Sequence, residues 1–258
     1  MGMFQWIKNW WHGYLIRHSA ITDMEWQTAF RNLSLLHRLS EDEKIKLKKL
    51  AILFLHYKSL EGAGGFEITS SVRIAIALQA CLPILNLGLD WYEGWVSVII
   101  YPGAYRRENV EVDECGIVHQ GMANLSGESW QHGPVILSWG DTLNHSENDG
   151  SNIVIHEFAH KLDMLNGKAN GLPPLHRWMS VRQWATVFNR AYADLEIQLQ
   201  QHKTIPINPY ALTSPAEFFA VFSEIFFERP MVIKRYYPEV YELLRRFYRQ
   251  NPLRPPEK

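Results

Sequence analysis

The most informative stretch of this sequence runs from Ile153 to Asp163 and reads IVIHEFAHKLD. Its apolar residues surround His156, Glu157 and His160, which indicates a helix that is buried in the protein. Side chains four residues apart lie one above the other on a helix, so both imidazoles can reach a single cation. Two histidines and a glutamate are costly to bury unless a metal ion satisfies them. The stretch therefore predicts a helix with a metal site on one face.

This spacing is the H-E-x-x-H pattern of zinc hydrolases, in which the two histidines bind the metal and the glutamate acts as general base. A catalytic zinc site has three protein ligands and a water molecule, whose pKa the metal lowers to about 7. We therefore expect one zinc ion per chain, bound by His156 and His160, with Glu157 taking a proton from the water. Five-residue patterns also occur by chance, so this interpretation depends on the rest of the chain.

The third ligand has two candidates in a second apolar stretch, residues 210–224. Ser214, Pro215 and Glu217 match the start of a helix with a capping box, which gives Glu217 a structural explanation without zinc. Glu224 follows two helical turns later on the same face. We expect one of the two glutamates to bind zinc and the other to support a ligand.

Asp163 follows His160 by three residues and so lies on the same helical face. It is either an acceptor for the second ring N–H of a zinc-binding histidine or an acid at the protein surface. The segment after the helix, residues 168–174, contains glycine and proline and predicts a loop of the kind that often contacts substrate.

The length, composition and charge of the chain limit the classes of protein to which it can belong. The chain has 258 residues, 47% of them hydrophobic, which is enough for a substantial core. Its formal net charge of −1 argues against direct nucleic-acid binding. Cys81 and Cys115 are the only cysteines and lie in unlike contexts, which suits a reducing compartment. The first 18 residues lack the continuous apolar core of a secretory signal, so we expect a cytoplasmic protein.

The N-terminal segment carries Trp6, Trp10, Trp11 and Tyr14 at helical spacing. We expect these aromatic side chains to dock on the protein's own core rather than on a membrane surface, because amphipathic aromatic helices usually pack inward. The longest apolar run, residues 72–89, is interrupted by polar residues and by proline. It predicts a buried helix and no membrane span.

The remaining patterns predict an α+β fold. Helices are expected at residues 22–36, 40–57, 68–85 and 180–202, a glycine-rich loop at 61–66, and strands at 95–101, 116–119 and 129–139. Pro134 near the start of the last strand is tolerated at a strand's first residue or on an edge. The strand is therefore either an edge strand, to which a peptide can add by main-chain hydrogen bonds, or an ordinary core strand. We expect a helical N-terminal part at residues 1–90 and a part at residues 91–258 with the small sheet and the metal-binding helices, packed as one compact unit.

The chain resembles the family of peptidases related to Mlc titration factor A and, more distantly, the catalytic domain of anthrax lethal factor. The first resemblance covers most of the chain and rests on Leu82-Pro83-Ile84-Leu85, on the region from Ser129-Trp130-Gln131 to Trp139, and on residues 156–163 and 215–227. It implies a zincin-like metallopeptidase fold of the gluzincin type. The implied zinc ligands are His156, His160 and Glu217, with Glu157 as catalytic base.

The same resemblance favours Glu217 over Glu224 as third ligand. The lethal-factor pattern also places a tyrosine seven residues before that glutamate, which here is Tyr210. A phenol at this position would stabilise negative charge on the substrate carbonyl oxygen; the alternative is a loop tyrosine packed on Pro209. Lethal factor has a further acid where this chain has Val221, so the resemblance leaves the role of Glu224 open.

In function, the resemblance implies a cytoplasmic bacterial zinc metallopeptidase, either aminopeptidase-like or an oligopeptidase, that cleaves peptides and also binds an Mlc-like transcription repressor. The alternative is a non-catalytic protein that sequesters the repressor. The metal motif favours the enzyme, because a binding surface gains nothing from Glu157 beside a metal-activated water.

Overall fold

The computed structural model describes residues 3–103, 105–112, 118–125, 127–129, 133–140 and 150–254. Cys115 and parts of the strands predicted at 116–119 and 129–139 lie outside these ranges. The elements in chain order are α1 (Met3–Arg17), α2 (Asp23–Asn32), α3 (Glu41–Tyr57), β1 (Ser59–Gly62), α4 (Ser70–Cys81), β2 (Ser97–Tyr101), β3 (Tyr105–Val112), β4 (Val118–Leu125), β5 (Gly127–Ser129), β6 (Val135–Ser138), α5 (Ile153–Asp163), α6 (Val181–Gln200), α7 (Pro215–Glu228), α8 (Pro230–Tyr236) and α9 (Pro238–Tyr248).

Two of the predicted helix starts are closed by capping boxes. At α2 the Thr22 hydroxyl accepts the Glu25 N–H, and the Glu25 carboxylate accepts the Thr22 N–H. Ser40 and Glu43 form the same pair of bonds at the start of α3. Each box satisfies backbone N–H groups that a helix leaves unpaired at its N-terminus, so the helix begins where the sequence predicts.

A four-stranded sheet with the order β1-β2-β6-β5 lies beside the helices. The pairs β1–β2 and β2–β6 are parallel, whereas β5 is antiparallel to β6. Strands β3 and β4 form a separate antiparallel pair. Mixed helices with a small sheet confirm the predicted α+β, zincin-like class.

The strands differ from the predicted ones in several places. β3 was not predicted, and the single strand expected at 129–139 is two antiparallel strands, β5 and β6. β1 includes Gly62 of the expected loop, because Leu60 is buried and the strand pairs with β2. Of the two alternatives for the strand after Pro134, the structure has the core strand and not the edge strand: Val135 pairs with Val98 of β2 on one side and with Ser129 of β5 on the other. Pro134 precedes the strand and removes no ladder hydrogen bond. Among the described strands, β5 is the edge beside β6.

Helix α1 docks on the protein, and of its aromatic rings Trp11 makes an edge contact with His56 of α3 at 6.3 Å between centroids. The helix contacts α3, its Lys8 Nζ donates to Asp90 at 2.7 Å, and Ile16 packs against the core.

The tryptophans of α1 are exposed, and Trp11 also stacks on Tyr14 with ring centroids 5.5 Å apart. The prediction that these aromatic rings pack inward was therefore wrong for Trp6 and Trp10, which are more than half exposed. Within the described ranges, no helix combines the length and apolar character needed to cross a membrane.

Helix α5 runs through the core. Ten of its residues are buried, and it contacts α4, α7 and both strands β5 and β6. The Phe158 ring lies 5.6 Å from the Phe54 ring and 5.2 Å from the Tyr92 ring, measured between centroids. Because packing holds α5 on several sides, its polar side chains have little freedom to move.

Candidate metal centre

His156 and His160 project together from α5, as their spacing predicts. Their Nε2 atoms are 3.1 Å apart, and both side chains are buried. Glu217, from the first turn of α7, completes the group: its Oε2 lies 2.9 Å from Nε2 of His156 and its Oε1 lies 3.3 Å from Nε2 of His160. The three ligand atoms all lie within 4.8 Å of one another, so the group could hold a metal ion.

Glu217 lies in the first turn of α7, and its side chain does not complete a capping box. The Ser214 hydroxyl accepts the Glu217 N–H at 3.2 Å, as at the other two helix starts. Glu25 and Glu43 turn their carboxylates back to the backbone at equivalent positions, whereas the carboxylate of Glu217 points to the two histidines. The predicted box is therefore only half formed. The capping serine fixes the helix start, and the glutamate side chain remains available to the site.

The charges of this group favour a cation between the three side chains. Burial alone would raise the pKa of Glu217, but hydrogen bonds with His156 and His160 outweigh burial and lower the pKa to about 2. Burial lowers the pKa of His156, yet the charge of Glu224 and hydrogen bonds with Glu217 and Glu224 raise it well above the usual value. A proton and a metal ion compete for the same nitrogen atoms, so surroundings that hold a proton this strongly also suit a metal.

Glu157 lies beside the group with an unused oxygen atom. Its side chain is buried, and its Oε2 has no hydrogen-bond partner in the part of the chain that the structure describes. Burial raises its pKa to about 7, against the opposing charges of His156 and His160. A carboxylate with a free acceptor atom and a pKa near neutrality can take a proton from a water molecule.

Glu224 stands behind His156, on the side of the ring away from Glu217. Its Oε1 lies 2.6 Å from Nδ1 of His156, and its Oε2 accepts the N–H of Asn152 at 2.6 Å. A hydrogen bond to one ring nitrogen fixes the tautomer and leaves the other nitrogen to face the site. The structure thus gives Glu224 contacts to a supporting network and brings Glu217 into the metal group.

Asn152 connects three helices at this point. Its Oδ1 caps α5 by accepting the Ile155 N–H, and its Nδ2 donates to Gln79 of α4 at 2.8 Å and to Glu228 of α7 at 2.7 Å. Asn152 is not among the residues predicted for the site from the sequence. An asparagine directly before an apolar helix is a helix-start signal that could have identified it. Its bonds to Gln79 and Glu228 have no comparable local signal.

Asp163 has neither of the two roles expected from the sequence. It is fully buried, so the interpretation as a surface acid was wrong. Its Oδ2 accepts the N–H groups of Asn170 and Gly171 at 2.8 and 2.7 Å, which closes the predicted loop. Neither its Oδ1 nor Nδ1 of His160 has a hydrogen-bond partner among the described residues. Asp163 therefore anchors the loop rather than bonding to a histidine.

Tyr210 lies near His156 and is partly exposed. It belongs to a short 3-10 helix, Pro209–Leu212, and the side chain of Asn208 accepts its N–H at 3.0 Å. Its ring centroid is 6.1 Å from that of His156, and 48% of the residue is exposed. Burial and the nearby carboxylates raise its pKa to about 12. The phenol therefore keeps its proton at neutral pH and can donate a hydrogen bond toward the site.

Comparison with known proteins places the chain among bacterial relatives. It is 39% identical over 238 residues to Mlc titration factor A of Cronobacter sakazakii, an alignment that covers 91% of this chain and 89% of the relative. It is 40% identical over 235 residues to Mlc titration factor A of Salmonella agona, with 89% and 87% covered. The corresponding protein of Escherichia coli O9:H4 is 40% identical over 237 residues, with 90% and 88% covered.

A match to a family model confirms the resemblance to the peptidases related to Mlc titration factor A. The model of the glucose-regulated metallo-peptidase M90 family matches residues 7–249. The matched range includes α5, α7 and the whole group of candidate ligands. The chain therefore belongs to the glucose-regulated metallo-peptidase M90 family.

Proposed function

We propose that this protein is a zinc-dependent metallopeptidase that hydrolyses peptide bonds in the bacterial cytoplasm. The observation that carries the proposal is the convergence of His156, His160 and Glu217 within 4.8 Å, with the unused oxygen of Glu157 beside them. Two imidazole nitrogens and one carboxylate oxygen are a donor set typical of catalytic zinc, which keeps a fourth position open. Zinc bound there would polarise a water molecule and the substrate carbonyl group.

The residues around the metal have separate roles in this proposal. Glu157 takes the proton from the attacking water and passes it to the leaving amine, because its pKa lies near 7 and its Oε2 is free. Tyr210 donates a hydrogen bond to the carbonyl oxygen as that atom becomes negative. In this proposal both groups act on the same peptide bond.

The edge strand β5 is the proposed place for the peptide backbone. It pairs with β6 on one side and contacts α5, the helix that carries both histidines. A peptide added to β5 would form main-chain hydrogen bonds next to the candidate metal centre. This is one strand away from the strand after Pro134, which the sequence allowed as an edge strand.

A second function is supported by the names of the relatives, which are titration factors of Mlc. We propose that this chain also binds an Mlc-like transcription repressor. The alternative is that it only sequesters the repressor and does not hydrolyse peptides. Aminopeptidase and oligopeptidase action are both compatible with the proposal, since each uses the same metal group.

The variant Glu157→Gln separates the two functions. A panel of chromogenic peptides is incubated with the wild type, with Glu157→Gln and with the control Glu196→Gln, which changes an exposed glutamate in α6. We expect Glu157→Gln to keep its zinc and its repressor binding in a pull-down, and to lose activity by about 100-fold or more. Glu196→Gln should behave as the wild type. Wild-type turnover in Glu157→Gln would rule out the general-base role, and an inactive wild type that binds the repressor would favour sequestration.

A further inference from the structure

A second polar cavity lies away from the candidate metal centre, between the start of α3 and the end of α9. It has a volume of about 620 Å³. Five arginines contribute to its lining: Arg38, Arg245, Arg246, Arg249 and Arg254. We call this cavity the arginine groove. None of the residues proposed for peptide hydrolysis lines it.

Arg38 is the deepest of these arginines. Its Nη2 atom is buried and has no hydrogen-bond partner within the described ranges. Burial lowers its pKa to about 10, against the attraction of Glu228, so the guanidinium remains charged at neutral pH. A buried charged donor without an acceptor is costly, and native structures rarely leave one. Because Arg38 lines the groove, an anion bound there would lie near this buried positive charge and could balance it.

Among the described residues, the lining contains five arginines but only two acids, Asp42 and Glu43, so the acids offset only part of the positive charge, and Glu43 attracts Arg38. Asp42 and Glu43 belong to the first turn of α3, where the Glu43 carboxylate accepts the Ser40 N–H at 2.9 Å. Arg245 donates to Glu242 at 2.8 Å. The groove therefore keeps an excess of positive charge, which attracts an anion.

Contacts with neighbouring residues hold parts of the groove wall in place. The Trp178 ring stacks on the His176 ring at 5.3 Å, and the Arg246 guanidinium lies 5.0 Å from the same indole ring. The contact with the Trp178 ring orients the Arg246 guanidinium at the wall of the groove. Gln250 donates to the carbonyl of Leu82 at 2.8 Å and fixes the segment that follows Arg249. The site is thus largely formed before a ligand enters, which lowers the entropy cost of binding.

We propose that the arginine groove binds a small organic phosphate, with the phosphate group on Arg38 and its neighbouring arginines. Guanidinium groups present paired N–H donors that match the oxygens of a phosphate, and charge-assisted bonds of this kind are about twice as strong as neutral ones. The volume lies in the range of small-molecule sites, roughly 300–1,000 Å³. The site is separate from peptide hydrolysis and needs no metal.

Isothermal titration calorimetry with glycerol 3-phosphate and with inorganic phosphate tests the proposal, using the full-length protein at constant ionic strength. The wild type should bind glycerol 3-phosphate saturably at one site. Arg38→Gln should weaken binding about tenfold or more, as expected for the loss of one charge-assisted hydrogen bond. The control Arg31→Gln makes the same charge change at an exposed position outside the groove and should bind as the wild type.

Thermal unfolding of each variant shows whether Arg38→Gln still folds. If it does not, Arg249→Gln replaces it, because Arg249 lines the groove from an exposed position. The proposal is overturned if the wild type shows no saturable binding, if Arg31→Gln weakens binding as much as the groove variants do, or if the groove variants bind normally. A phosphoserine peptide that binds at least tenfold more tightly than glycerol 3-phosphate would instead identify the ligand as a phosphorylated protein.

Discussion

The carboxylate of Glu224 joins the start of α5 to the imidazole of His156. One oxygen lies 2.6 Å from Nδ1 of His156 and the other accepts the Asn152 N–H at the same distance. Asn152 is also the N-cap of α5. One side chain therefore fixes both where the helix begins and how its first histidine is turned.

Glu224→Ala should weaken zinc affinity about 10- to 100-fold without abolishing binding, which is the usual effect of losing a carboxylate behind a metal-binding histidine. It should also lower the free energy of unfolding by about 1–3 kcal/mol, because the Asn152 N–H is left buried without an acceptor. Chelator competition measures the affinity, and Glu196→Ala provides the control. If Glu224→Ala holds no zinc even at saturating metal, Glu224 is a ligand and this account of it is wrong.

Tyr210→Phe removes one oxygen atom and leaves the ring that lies near His156. We expect kcat for peptide hydrolysis to fall roughly a hundredfold or more, the usual effect of losing one donor to a developing oxyanion. Zinc content and thermal stability should not change. A near-normal kcat would support the alternative, in which Tyr210 is a loop tyrosine packed on Pro209.

Gly171 lies where the loop after α5 meets the start of α7. Its φ is +78°, and an added Cβ would lie 2.4 Å from the carbonyl oxygen of Pro215. Gly171→Ala should therefore lower the free energy of unfolding by about 1–3 kcal/mol and also weaken zinc binding, because α7 carries Glu217.

Gly167→Ala is the matched control for that change. Gly167 also has a positive φ, of +141°, but a Cβ there would meet no atom within 4 Å. Denaturant unfolding should show a smaller loss for Gly167→Ala, and its zinc affinity should match the wild type. Equal effects of the two variants would mean that backbone strain alone, and not the contact with Pro215, is responsible.

Lys58 makes stability depend on pH in the alkaline range. It is buried, donates to the carbonyls of Tyr92 and Trp95 at 2.5 Å each, and burial lowers its pKa from 10.5 to about 8. Between these two values the unfolded chain binds more protons than the folded one, so the contribution of Lys58 to the free energy of unfolding rises with pH. Below pH 8 the residue is charged in both states and its contribution is constant.

Lys58→Met should reduce this rise, as measured by denaturant unfolding at several pH values from 7 to about 10.5. The exposed Lys168 is the control, since Lys168→Met should keep the rise of the wild type. An unchanged pH dependence in Lys58→Met would show that the lysine titrates in the folded protein as it does in water.

The parts of this structure that could be predicted from sequence depend on local spacing. The pairing of His156 with His160 follows from four residues of helix, and the start of α3 follows from Ser40 and Glu43. The position of Glu217 in the group follows from the packing of α7 against α5, which no local pattern encodes. The same local rule predicts that the Glu217 carboxylate completes a capping box. The carboxylate instead points to His156 and His160, which belong to another helix.

The errors in the sheet and in α1 have the same cause. β1 is a strand because it pairs with β2, more than thirty residues later in the chain. Pro134 marks the start of β6 correctly, but whether that strand is an edge depends on β5. The aromatic residues of α1 have the spacing of an inward face, yet Trp6 and Trp10 stay exposed, whereas Trp11 contacts a ring of α3.

The most direct test of the central claim is the zinc content of the wild type and of Glu217→Ala, measured by mass spectrometry of the metal after saturation with zinc and removal of the excess. The account predicts about one zinc per chain in the wild type and almost none in Glu217→Ala, with zinc retained in Glu224→Ala. A wild type that binds no zinc would contradict it. So would a Glu217→Ala protein that keeps its zinc and loses only the stability of a helix start, about 1 kcal/mol.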